Sequence, residues 1–111
     1  MKATITSIEL KGILKFFALS KQALAITRQL KASQYKDFKK QGFWTTHYTM
    51  TLWNNENELR AFAQSGAHLA AMKSSKEIAK EIRTITIDSE KLPDWKKAKQ
   101  LLKEQGKVIR F

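Results

Sequence analysis

An α+β fold, one antiparallel sheet backed by two helices, is predicted by three features of this sequence. Stretches that alternate every second residue are separated by stretches with three- and four-residue periodicity, in the order strand, helix, two strands, helix, strand. The 111 residues are 42% apolar, enough to build one core and so one domain spanning 1–111. The lone proline, Pro93, and four scattered glycines leave no linker or repeat at which the chain would divide.

Ala3 to Leu10 sets Ile5 against Thr4 and Thr6 and then Ile8 and Leu10 on the other parity, which predicts a first strand with one irregularity. From Ile13 to about Ala32, Ile13, Phe16, Phe17, Leu19, Ala23, Leu24, Ile26 and Leu30 recur at helical steps with basic residues between them. Tyr35 to Lys40 is lysine-rich around Phe38, as an exposed edge strand is, and Gln41-Gly42 offers a turn or bulge. The run FWTTHYTMTLW, Phe43 to Trp53, is dense in aromatic and β-branched residues and predicts the third strand. One side of it carries Trp44, Thr46, Tyr48, Met50 and Leu52; the other mixes aromatic, hydroxyl and imidazole groups, including His47 and Trp53.

Asn54 or Asn55 then caps a second helix, with Glu56 and Glu58 in its first turn. Leu59, Phe62, Ala63, Gly66 and Ala70 trace its apolar face, and Ser65-Gly66 predicts a break that turns His68 and Met72 inward. Arg83 to Asp88 alternates as a fourth strand, with Ile82 at its start. Pro93-Asp94-Trp95 opens a basic helix that ends near Gly106, and Val108 to Phe111 is expected to pair with a sheet edge.

The core, residues 3–90, therefore has the β-α-β-β-α-β order of a ferredoxin-like fold with an antiparallel sheet, and 92–111 form an extra C-terminal helical extension. Two helices cover one sheet face only. The other face is too apolar to be left wet, which predicts a homodimer packed sheet to sheet.

Charge and composition exclude several function classes. The 21 basic and 10 acidic residues give a net charge of +11. Residues 1–52 carry nine basic and two acidic side chains, and 53–111 carry twelve and eight, so the excess is spread along the chain. The excess is mostly lysine and no RNA- or DNA-binding motif accompanies it, which argues against a nucleic-acid partner. No cysteine is present, as a reducing cytoplasm permits, and this removes disulfide, zinc-ribbon and thiol chemistry. The longest apolar region, Ile13 to Leu30, is interrupted by Lys15, Lys21 and Arg28, so neither a spanning segment nor a signal peptide is expected, and no membrane partner.

Two histidines, 21 positions apart with no companion ligands, do not make a metal site. Glycines at 12, 42, 66 and 106 cannot form a phosphate loop, and Ser65 in AQSGAH lacks the first glycine of a nucleophile elbow. His47, Tyr48, Trp53 and His68 remain, polar or basic tips among aromatics, a composition suited to a planar aromatic ligand. Trp44 and Met72 complete the candidate lining, each with packing as the ordinary alternative.

The segment TLWNNENELRAFAQSGAHLAAM, Thr51 to Met72, resembles the antibiotic-biosynthesis-monooxygenase-like group of dimeric α+β barrel proteins, and Leu92 to Trp95 is similar to the tails of some of them. The resemblance implies a pocket between sheet and helices in each subunit, with the dimer forming the barrel. Some members oxidise phenolic substrates with dioxygen and no metal or flavin; others bind or degrade haem, isomerise lactones, or have no known reaction. Carried onto this chain, Trp53 matches the strand-end tryptophan and His68 the helical histidine. The first strand offers Thr4, Thr6 and Ser7 but no asparagine, which departs from the haem-degrading set. The expected function is a monooxygenase-like protein that needs no cofactor, with His68 or His47 as the base and Trp53 holding the substrate ring. A non-catalytic module for haem or an aromatic anion is the alternative, with nucleic-acid binding through the basic surface a remote third.

Overall fold

The computed structural model describes residues 1–111, the side chain of Phe43 excepted. Strand β1 (Lys2–Leu10) leads into helix α1 (Lys15–Lys31), then β2 (Asp37–Phe43), β3 (Thr46–Trp53), α2 (Glu56–Ala63), α3 (Gly66–Ile78), β4 (Ala79–Asp88), α4 (Trp95–Gln105) and β5 (Lys107–Arg110). The strands form one antiparallel sheet in the order β2-β3-β1-β4-β5, the ferredoxin-like arrangement with a fifth strand added at one edge. The parity change between Ile5 and Ile8 is not an irregularity, since the register is unbroken from Lys2 to Glu9 and Ile8 simply faces the other side of the sheet; the register against β4 shifts only later, between Glu9 and Leu10.

Three further local expectations are corrected. The turn between β2 and β3 is not at Gln41-Gly42: Phe43 still pairs with Thr46, and Trp44-Thr45 form the two-residue connection, with Trp44 at a φ of 54°. Phe43 to Trp53 is therefore not one strand. A tryptophan at positive φ costs about 1–2 kcal/mol, so no residue preference marks that position as a turn. Gly42 is needed for a different reason. A Cβ there would collide with Nδ1 of His47, its cross-strand partner, so its absence makes room for the imidazole. Finally, β4 begins at Ala79, directly from α3, rather than near Ile82.

The expected second helix is two helices. Asn55 caps α2, its Oδ1 accepting from the Glu58 amide at 2.9 Å. Gly66 follows the break at a φ of 59°, a conformation that favours glycine. Gln29 of α1 clamps the break: its Nε2 donates to the carbonyls of Ser65 (2.8 Å) and Phe62 (3.2 Å), and its Oε1 accepts from the His68 amide (2.9 Å). Backbone groups left over at the end of one helix and the start of the next thus find partners on a third.

The helices divide between the two faces of the sheet. Trp53, 1% exposed, packs with Leu30 of α1 and Phe62 of α2, which puts these helices on its side. On the opposite side Ala3, Ile5, Met50 and Leu52 pack against Leu92, Ala98 and Leu102, with Trp95 beside them. That second cluster corrects the reasoning behind the sheet-to-sheet dimer. The apolar part of the supposedly uncovered face is closed by α4 of the same chain, whose Asp94 cap accepts from the Lys97 amide at 2.8 Å. Each fully buried side chain such as Ile5 or Met50 contributes about 1.5–3 kcal/mol through removal from water.

Candidate functional site

The sequence-predicted site residues fall into three separate places. The first is built around His68 in the opening turn of α3. Its Nδ1–H donates to the Ala63 carbonyl at 3.0 Å, which leaves Nε2 with the lone pair of the neutral ring. The ring lies against Phe62, centroids 5.2 Å apart, and Phe62 in turn lies against Trp53 at 5.1 Å. Burial pushes the imidazole below its ordinary value of 6.5, against a smaller upward effect of the Ala63 carbonyl. Trp53 stands behind Phe62 in the core, and its indole N–H is buried without a hydrogen-bond partner in the protein. Met72, one turn further along α3, is exposed rather than turned inward.

Next to Trp53 on the helix-facing side of the sheet, the register sets threonines side by side in two rows. Thr51, Thr4 and Thr86 form the first row; Thr49, Thr6 and Thr84 form the second. The Oγ1 atoms of Thr4 and Thr86 are 3.0 Å apart and those of Thr6 and Thr84 3.2 Å, while Thr49 and Thr86 remain exposed to solvent. Hydroxyl groups here replace the apolar side chains that a helix packed down on the sheet would need. This array was not singled out from the sequence, although its signal is there: Thr-x-Thr occurs in β1, β3 and β4.

The second place holds His47 and Trp44. His47 Nε2–H donates to the Trp44 carbonyl at 2.9 Å, and the ring lies 5.6 Å from that of Phe16. Ile13, Leu14, Phe16, Phe17 and Trp44 line a concavity of about 450 Å³ beside it. The two histidines do not share a site. Phe16 touches one and Gln29 the other, and these positions on α1 are roughly 20 Å apart at about 1.5 Å of rise per residue.

The third place is on the α4 side of the sheet. Tyr48 meets Trp95 edge to face at 6.3 Å, and the Lys99 ammonium sits 4.8 Å over its ring. A cavity of about 350 Å³ opens there, lined in part by Ser7, Glu9, Tyr48, Glu81 and Arg83. Glu81 in this wall accepts from Arg83 Nε at 3.1 Å and lies 3.6 Å from Arg110 Nε of β5. Among the described residues no cluster of three or more metal-ligating side chains occurs, and no helix is long and apolar enough to cross a membrane.

The α+β arrangement of one antiparallel sheet with packed helices is shared with several solved structures over most of the chain. A Deinococcus radiodurans protein assigned only provisionally as an antibiotic biosynthesis monooxygenase superposes with a TM-score of 0.72 at 7% identity, over 85% of this chain and 97% of that one. This chain has the antibiotic-biosynthesis-monooxygenase fold. A protein of unknown function from Nitrosomonas europaea gives 0.65 at 16% identity, over 84% and 94% of the two chains. SnoaB of Streptomyces nogalater, a cofactor-independent oxygenase, gives 0.60 at 10% identity, over 84% and 97%. No family model matches the sequence, and no curated protein matches it. The likeness read from Thr51 to Met72 thus holds at the level of the fold.

Proposed function

We propose that the protein is a cofactor-independent oxygenase acting on a small phenolic or related electron-rich aromatic substrate, with His68 as the base. The observation that carries this reading is the state of His68. The ring is neutral near pH 7, held by the Ala63 carbonyl in the tautomer that leaves Nε2 able to take a proton, and backed by an aromatic wall. The substrate lies over the threonine rows, whose hydroxyls meet its oxygens, with its ring towards Phe62. Trp53, sealed behind Phe62, is a positioning residue in this reading rather than a surface the substrate touches.

For a substrate with an acidic CH₂ flanked by aromatic rings, the step balances as R₂CH₂ + O₂ → R₂C=O + H₂O. His68 Nε2 removes one carbon-bound proton, the resulting anion reduces dioxygen, and a carbon–oxygen bond forms. His68 returns its proton to the peroxide; the second carbon–hydrogen bond then breaks as the C=O bond forms and the O–O bond cleaves, so both hydrogens of the original CH₂ leave in the water. The likeness in fold to SnoaB, itself a cofactor-independent oxygenase, supports the class of reaction. A homodimer belongs to the same reading, using the polar remainder of the α4-side face around Ser7, Glu9 and Arg83.

Oxygen consumption with a panel of anthrones and quinols tests it. Turnover by the wild type and a loss of about 10²–10⁴-fold in His68→Ala is the expected result, the usual contribution of a general base. Equal rates in the two proteins would remove His68 from the mechanism.

A further inference from the structure

The tip of the molecule formed by the start of α1 and the β2–β3 turn exposes an apolar surface that the proposed chemistry does not use. Leu14 and Phe17 are 78% and 71% exposed, and Trp44 is 62% exposed at the end of its hairpin. With Ile13 and Phe16 they form the concavity of about 450 Å³. Contiguous exposed apolar surface of this kind marks an interaction site.

Its surroundings identify the partner. Along the outer side of α1 the exposed residues Leu14, Phe17, Lys21, Leu24 and Arg28 follow one another at three- and four-residue steps, so apolar and basic side chains share one stripe. From Leu10 to Lys36 the chain carries six basic residues and no acidic one. A second copy docking on this patch through a two-fold axis would bring two equally basic stripes together, with no carboxylate on α1 of either copy to offset Lys21 and Arg28. Nucleic acid would meet the lysines but leave Leu14, Phe17 and Trp44 against phosphates. An anionic lipid surface matches both components, apolar side chains entering the headgroup boundary and lysines or arginines at phosphate level.

We propose that this face, Leu14, Phe17, Leu24 and Trp44 with Lys15, Lys21 and Arg28, lays the protein on anionic membrane surfaces. The expectation of no membrane partner rests on the lack of a spanning segment, and lying on a bilayer needs none. Trp44 at positive φ fits this use, because the hairpin holds an indole, a side chain suited to the interface, outward at some cost to the backbone. This proposal does not depend on the activity assigned to His68.

Co-sedimentation with vesicles of equal parts phosphatidylcholine and phosphatidylglycerol tests it, with phosphatidylcholine vesicles as the control. The wild type should sediment with the anionic vesicles, should be released by high salt, and should leave the neutral vesicles largely unbound. Tryptophan emission should shift to the blue on binding, and Trp44→Gly should remove most of that shift, since Trp53 is already buried and the half-buried Trp95 packs on the α4 side of the sheet, away from this face. Lys21→Glu and Arg28→Glu should each weaken binding by at least about fivefold, the effect of one basic residue near such a surface. Phe17→Ser, at an exposed position, should remain folded and lose binding. Failure to sediment with anionic vesicles would overturn the proposal, as would binding that Phe17→Ser leaves unchanged. It also fails if Phe17→Ser turns a lipid-free dimer into a monomer, which would make the patch a contact between copies, or if the wild type retains DNA but not vesicles.

Discussion

His68 illustrates how one residue's chemistry is set by its neighbours. Burial lowers the affinity of the folded protein for the imidazole proton, while the unfolded chain binds it with the ordinary value of 6.5. Between the folded value and 6.5 the unfolded state holds more protons, so stability rises with pH across that window. The contribution is full above 6.5, is lost as the pH falls through the folded value, and changes no further below it. Urea titrations at a series of pH values should show this slope in the wild type and a flatter profile in His68→Gln. An unchanged slope in the variant would assign the pH dependence to other groups. That His68 faces inward was legible from the sequence, because Ser65-Gly66 announced the break that re-aims it. Its separation from His47 was not, since periodicity gives the side of an element but not how far apart two elements hold their ends.

At the scale of elements, the α2–α3 break depends on α1. Gln29 offers one acceptor and one donor group to three backbone groups across the break, in a place where water is partly excluded. Gln29→Leu keeps the volume and removes every one of these bonds. It should cost about 1–3 kcal/mol, the penalty of leaving such groups unpaired, measured as a lower denaturant midpoint with the slope unchanged. Because the His68 amide is one of the three, the variant should also reduce turnover of any substrate that His68 deprotonates. The β2–β3 hairpin shows the opposite relation between pattern and structure. Gln41-Gly42 looks like a turn, yet Gly42 is a strand residue whose missing side chain admits His47, and the turn falls on Trp44, a residue that turn preferences disfavour.

For the whole molecule, the consequential element is α4. Local pattern marks it as a basic helix between Pro93 and Gly106 but not where it lies, and a sheet face without that helix would need a second copy to cover it. By packing Leu92, Ala98 and Leu102 over Ala3, Ile5, Met50 and Leu52, α4 completes a three-layer arrangement within one chain. Leu102→Ala removes a buried side chain from that layer and should cost about 2–5 kcal/mol in thermal or denaturant unfolding. Light scattering on the wild type and the same variant tests the proposed dimer. A dimer that uses the polar region around Arg83 should survive the substitution, whereas dissociation would show that the apolar layer carries the contact.

By itself the sequence determined the kinds of element and their order, the break before His68, the edge character of β2 and the late pairing of β5. These depend on local periodicity, capping residues and glycine conformation, which act over a few neighbouring positions. Only the tertiary structure decided which face α4 covers, that Trp53 lies behind Phe62, that the two histidines are kept at opposite ends of α1, and that six threonines from three strands meet in one array. Each of these depends on register and packing between segments distant in the chain. The sheet hydrogen bonds that set them align residues as far apart as Thr4 and Thr86, a relation that no local pattern encodes.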